Sequence, residues 1–165
     1  MPNLPRLTSR LATIAALVPY GARLADVGTD HAYLPVYLAA RGIIPFGIAA
    51  DVNEGPLKRA GATIAKYNVE DKVKTRLSNG FDALAPGEVD CVVAAGMGGL
   101  LIASIMEGSP EFVKTVSTFI LQPMTAGREL RDWLCANGFA ITNEHVAREK
   151  NRMYYIIGCR KEDVT

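Results

Sequence analysis

The chain predicts an α/β fold: a seven-stranded, mostly parallel sheet with helices on both faces and an antiparallel hairpin at its end. Three observations carry this. Short apolar runs near 23–28, 45–51, 73–78, 90–95 and 117–121 have the length of buried strands. Helix-like stretches near 33–41, 55–67, 98–107 and 127–137 alternate with them, the order expected of a parallel sheet. The last two apolar runs, Phe139 to Ala147 and Met153 to Cys159, are separated only by Arg148-Glu149-Lys150-Asn151-Arg152. That is too little chain for a crossover helix, so they pair antiparallel.

Ahead of the first strand, Leu4, Leu7, Leu11, Ile14 and Val18 recur at helical spacing. They predict an amphipathic helix over 4–18 that ends before Pro19, with Arg6 and Arg10 on its other faces. Gly42 and Gly138 follow helical stretches and serve as stops. With 165 residues, residues 1–165 form one domain, long enough to bury about 70% of the unfolded surface.

Composition narrows the function classes. Apolar residues make up 49% and charged residues 21%, and the formal net charge is +1, so no strongly basic surface follows from the average. Cys91, Cys135 and Cys159 are odd in number and widely spaced. They give neither a disulfide framework nor a metal signature, and we expect reduced thiols and no metal site. The first thirty residues lack a signal-peptide pattern, and no uncharged apolar run reaches membrane-spanning length. A cytoplasmic protein without membrane contact is expected, a monomer or weak dimer.

The chemistry-bearing residues cluster where predicted strands end. The first strand runs through Leu24-Ala25-Asp26-Val27 to Gly28, then Thr29-Asp30-His31-Ala32-Tyr33. The second ends at Asp51, which either reaches ribose hydroxyls or serves the turn into a helix that begins near Pro56. A glycine that admits close approach, followed about two dozen residues later by an acid, suits a nucleoside-bearing cofactor whose ribose hydroxyls the acid accepts. The G-x-G-x-x-G fingerprint is absent, and acids beside Gly28 disfavour a pyrophosphate. They suit S-adenosylmethionine, with its ammonium and cationic sulfur. Asp26 either orients the methionine end or caps loop amides. Asn79-Gly80-Phe81-Asp82 follows the third strand; either Asn79 or Asp82 reads the adenine edge, with Phe81 or Leu84 against its face, or the segment is a plain turn. Ala95-Gly96-Met97-Gly98-Gly99 and Gln122-Pro123 follow the fourth and fifth strands on the same sheet edge. They offer backbone and amide groups to a flat base.

Several strings resemble the bacterial TrmK-like tRNA (adenine-22-N1)-methyltransferases: Arg10-Leu11, Asp26 through Pro35, Asn53-Glu-Gly-Pro56, Asn79-Gly80, Ala95 through Gly99, Leu121-Gln-Pro123 and Leu130-Arg-Asp-Trp-Leu134. They occur in order and cover nearly the whole chain. The resemblance implies a Rossmann-like class I methyltransferase fold and a methyl donor, S-adenosyl-L-methionine, released as S-adenosyl-L-homocysteine. It also implies methylation of N1 of an adenosine, position 22, in the D arm of tRNA. Asp51 stands where members tend to carry Glu, Met124 where they often carry Asn, and members continue into a helical C-terminal extension that helps hold tRNA.

On this reading Asp26, Gly28, Asp51, Asn79, Gly80, Asp82, Ala95 and Gly96 bind cofactor. Asp30, His31 and Tyr33 serve the reaction: Asp30 faces charge developing on the base, His31 contacts substrate or is structural, and Tyr33 stacks or shields. Arg6, Arg10, Met97, Gly98, Gln122 and Pro123 contact substrate, with Arg128 and Arg131 as further backbone contacts. Alternatives are a methyltransferase for a protein or small metabolite, or a non-catalytic cofactor- or tRNA-binding module.

Overall fold

The structure, a computed structural model, describes residues 3–162. Its elements in chain order are α1 (Ser9–Leu17), β1 (Arg23–Val27), α2 (Tyr33–Ala40), β2 (Phe46–Asp51), α3 (Glu54–Lys66), β3 (Val73–Leu77) and β4 (Cys91–Met97). They continue with α4 (Gly99–Glu107), α5 (Pro110–Val113), β5 (Thr118–Pro123), α6 (Gly127–Ala136), β6 (Phe139–Glu149) and β7 (Arg152–Lys161). The seven strands form one sheet in the order β3-β2-β1-β4-β5-β7-β6. The first five are parallel; β7 runs antiparallel to both β5 and β6.

Strict alternation along the central strands sorts side chains onto the two faces. Ala25, Val27, Val92, Ala94, Phe119 and Leu121 pack on one face with Ile102, Met106, Phe112, Leu130 and Leu134, from α4, α5 and α6. Leu24, Cys91, Val93 and Ile120 pack on the other with Ile14, Leu34, Leu38, Ala60 and Ile64, from α1, α2 and α3. The same two-residue period carries Asp26 onto the face of Leu24, and Gln122 onto the face of Ile120. Both polar residues therefore lie on the face that α1 and α2 cover.

Three expectations shift. The opening helix starts at Ser9, not Leu4, because the Thr8 side chain accepts from the Leu11 amide and fixes the N-terminus. Arg6 therefore lies in the extended segment ahead of the helix. A single turn, α5, sits where none was expected; Pro110 at its first position starts it. The closing strands are longer than expected, and Lys150, in left-handed backbone (φ 53°), makes the tight turn between them.

Candidate active site

Strand order reverses between β1 and β4, leaving a crevice at the C-terminal ends of the strands. The tips there are stitched together. The amides of Gly28 and Thr29 both donate to the Ala50 carbonyl, at 2.9 and 3.0 Å, and the Ser78 amide donates to the Asp51 carbonyl at 2.9 Å. These bonds bring the turns after β1, β2 and β3 side by side. Gly28, Asp51 and Asn79 thus belong to one rim although 51 residues separate the first from the last.

Gly28 is left-handed (φ 77°), and a Cβ there would find nothing nearer than the Met97 side chain at 3.8 Å. A side-chain methyl would sit there at ordinary contact distance, and Gly28 itself stays exposed at the rim. Two non-glycine residues in the same loop are also left-handed, Asp30 (φ 55°) and Ala32 (φ 59°). Backbone strain of this kind gathers where a loop is shaped for a ligand.

A cavity of about 350 Å³ joins this loop to the β4 tip and to α1. Asp26, Gly28, Asp30, His31, Tyr33, Ala95, Gly96 and Arg10, all named from the sequence, line it together. Asp26 is buried and accepts from the Thr29 hydroxyl at 2.8 Å. Burial raises its carboxyl from 3.8 to about 7; the Thr29 bond and the Arg10 charge pull the other way, and Asp51 adds to the rise. Such an acid is short of positive charge, which a cationic ligand would supply. Asp51 is nearly buried, with Oδ1 accepting from the Asn53 amide at 3.1 Å; Oδ2 has no protein donor among the described residues. This set fits an S-adenosylmethionine-like ligand: an exposed left-handed glycine, a charge-starved carboxylate, and a second carboxylate with a free oxygen.

Asp30 is exposed and held by Arg59, whose Nε and Nη2 donate to its Oδ1 at 3.3 and 2.7 Å. The His31 and Tyr33 rings stack at 5.0 Å, 6° from parallel. Arg59 escaped sequence reading because it lies 29 residues from its partner.

Other expected contacts are used inside the protein. Gln122 is fully buried; its Oε1 accepts from Arg10 Nη1 at 2.9 Å and from the Gly96 amide at 3.0 Å, while Nε2 donates to the Pro123 carbonyl. Gln122 therefore lies beneath the site and engages the Gly96 amide and Arg10 Nη1, while Arg10 still lines the cavity. Arg131 is paired with Glu144. Gly80 is pressed onto α4, its Cβ direction 2.9 Å from Ile105. Phe81 and Leu84 lie in the core, Phe81 against Phe112 and Phe119, so neither offers a face to adenine. The exposed apolar group at that rim is instead Val52, 56% exposed directly after Asp51. Met97 Sδ and Cε each lie 3.8 Å from where a Gly28 Cβ would sit. Gly98 caps α4 beside Thr125, and Pro123 is buried at the end of β5. Asn79 and Asp82 are exposed at the β3 rim. Among the described residues no group of three or more His, Cys, Asp or Glu forms a metal cluster, and no helix is long and apolar enough to cross a membrane.

Comparison with known proteins agrees with this geometry. A family model described as a methyltransferase domain matches residues 7–157. The tRNA (adenine(22)-N(1))-methyltransferase of Bacillus subtilis is 33% identical over 152 residues, covering 92% of this chain. The chain belongs to the TrmK-like tRNA m1A22 methyltransferase family. It spans 64% of the length of that B. subtilis relative. Among solved TrmK-like structures, Sp1610 of Streptococcus pneumoniae in complex with S-adenosyl-L-methionine is 37% identical with a TM-score of 0.91, covering 97% of this chain and 76% of its own. TrmK of M. capricolum in complex with S-adenosyl-homocysteine is 30% identical with a TM-score of 0.85, covering 94% and 69%. The sheet order displays the seven-stranded Rossmann-like methyltransferase fold with its antiparallel hairpin.

Proposed function

We propose that the chain transfers a methyl group from S-adenosylmethionine to N1 of an adenosine in tRNA, position 22 in the D arm. The observation that carries this beyond family membership is the convergence of Asp26, Gly28 and Asp51 on one open rim, with Asp30, His31 and Tyr33 walling the adjoining cavity. Asp51 receives the ribose hydroxyls on its free oxygen, Val52 covers the adenine, and Asn79 reads the adenine edge. Asp26 meets the cationic methionine end. S-adenosylmethionine, when bound, supplies an electrophilic methyl group.

Adenine N1 has a lone pair and no proton, so the protein needs no base to activate it. Its work is alignment and exclusion of water. The tRNA base leaves its stack to enter the cavity. Methylation makes the ring cationic, and the Asp30 carboxylate, fixed by Arg59, faces that developing charge and the N6 amine. Tyr33, braced by His31, presents a ring on which the base stacks.

Incubation with unmodified tRNA and methyl-labelled S-adenosylmethionine, followed by nucleoside mapping, should place the label on adenine N1 at position 22. Label on a protein or metabolite instead, with tRNA ignored, overturns the assignment. Asp30→Ala should keep cofactor affinity and lose transfer; undiminished turnover removes Asp30 from the reaction.

A further inference from the structure

A second cavity, about 470 Å³, lies on the far side of the His31–Tyr33 pair. The two rings line both cavities and so form the wall between them. The rest of the second cavity is built by Arg6, ahead of α1, and by Arg59, Lys66 and Tyr67 from α3 and its C-terminal end. Arg59 and Lys66 are seven residues apart, two helical turns, and share a face.

Three cations line this groove, and the carboxylate beside it, Asp30, is paired with Arg59. Arg6 and Lys66 form no ion pair among the described residues. Arg59 gives Nε and Nη2 to Asp30, leaving Nη1 with no acceptor among the described residues. The Lys66 ammonium lies 5.4 Å from the Tyr67 ring centroid. For a chain of net charge +1, this is a concentrated patch. Another cavity of similar size, about 490 Å³, also carries cations, Lys114, Arg160 and Lys161, but Glu162 lines it too. It sits beside the start of β5, at the sheet edge opposite the reacting rim.

We propose that the Arg6–Arg59–Lys66 groove holds the sugar–phosphate backbone of RNA next to the nucleotide being methylated. Phosphates sit on Arg6, Lys66 and the free Nη1 of Arg59, and the stacked His31–Tyr33 rings separate the backbone from the reacting base. Cations beside exposed rings are how proteins hold unpaired RNA, and a base drawn from its stack leaves its flanking phosphates at the cavity mouth. This rests on the reading that the substrate is RNA; it adds where the RNA lies. The residues are scattered along the chain, at 6, 31, 33, 59, 66 and 67, so no linear run announces them.

The test is fluorescence anisotropy of labelled tRNA over a salt series, with the full chain and the variants Arg6→Ala, Lys66→Ala and the double variant. Each lost phosphate contact lowers the slope of log affinity against log salt by about 0.7, worth about fourfold near 0.15 M salt. The double variant should bind tRNA about fourteenfold more weakly, with its slope reduced by about 1.4. Its S-adenosylmethionine affinity by calorimetry should match wild type, and Lys114→Ala should keep the wild-type slope. An unchanged slope in the double variant overturns the groove, as does a parallel loss of cofactor affinity. Wild-type protein that binds tRNA with this slope but methylates no adenine N1 supports the groove and overturns the proposed reaction; failure of wild type to bind tRNA overturns both.

Discussion

Cofactor binding should be linked to a proton on Asp26. In the unliganded protein burial lifts this carboxyl to about 7, so it holds its proton through mildly acid solution. A cationic ligand beside it favours the carboxylate and binds best once the proton has gone. With the ordinary linkage relation, about one molecule in eleven is ready at pH 6 and about three quarters at pH 7.5, so affinity should rise about eightfold across that window. Calorimetry at pH 6 to 7.5, in buffers of different ionisation enthalpy, reads both the affinity and the proton released. Asp26→Asn should give a flat profile at or below the wild-type affinity at pH 6. A flat profile in wild type, with no buffer-dependent heat, would refute the pairing of Asp26 with the cationic end.

The same acid shapes stability with the opposite preference. Its folded value lies above the ordinary 3.8, so its contribution is complete below about 3.8 and is lost as pH rises through about 7. The loss reaches about 4 kcal/mol at most. In urea unfolding, Asp26→Asn should therefore gain on wild type as pH rises from 4 to 8; a constant difference would refute a buried, charge-starved carboxyl. Gly28→Ala should cost only about 1–2 kcal/mol of stability, from left-handed backbone, because a Cβ would meet Met97 at ordinary contact distance without a clash. It should nonetheless weaken S-adenosylmethionine binding at least about tenfold, since that methyl fills the space left for the ligand; wild-type affinity by calorimetry would refute the close approach. Asp51→Ala should weaken it about tenfold or more, for loss of charge-assisted hydrogen bonds, while Asp51→Glu retains binding; equal affinity in the alanine variant would remove the ribose role. Gly99→Ala should lose about 3 kcal/mol in urea unfolding, because its Cβ would lie 2.3 Å from the Ala126 carbonyl oxygen. A wild-type midpoint would refute that packing.

What the sequence disclosed follows from how locally each feature is encoded. Strand positions were legible because both faces of the central strands are buried, leaving continuous apolar runs such as Leu24 to Val27 and Cys91 to Ala94. The placement of Gly28, Asp30 and Asp51 beside neighbouring strand tips is legible because each directly ends or follows an apolar run. The start of α1 was misread because Leu7 packs on the core without being helical, and apolar spacing records burial, not backbone conformation. Phe81 follows a strand and so suggests itself, with Leu84, for the adenine face, yet Phe112, on a turn the sequence does not announce, draws it inward. Arg59 and Gln122 gain their roles from partners 29 and 26 or more residues away, and no local pattern encodes such pairs.

Gln122 also explains why the opening helix and the closing hairpin belong to the site. Its carboxamide oxygen holds the Gly96 amide and the Arg10 guanidinium at once. Arg10 then reaches the hairpin: its backbone amide donates to Glu149 Oε1 at 2.8 Å, and its guanidinium lies 5.8 Å from the Tyr154 ring centroid. The loop after β4, α1 and the β6–β7 hairpin are thereby tied into one hydrogen-bonded unit around the cavity. Arg10 also lends positive charge to buried Asp26, holding it within reach of ionisation near neutrality. A helix that packs only its apolar stripe would need no arginine at this position. Beside Asp26, Arg10 serves the β1 tip, adding to the Thr29 hydrogen bond in drawing that buried carboxyl down toward ionisation.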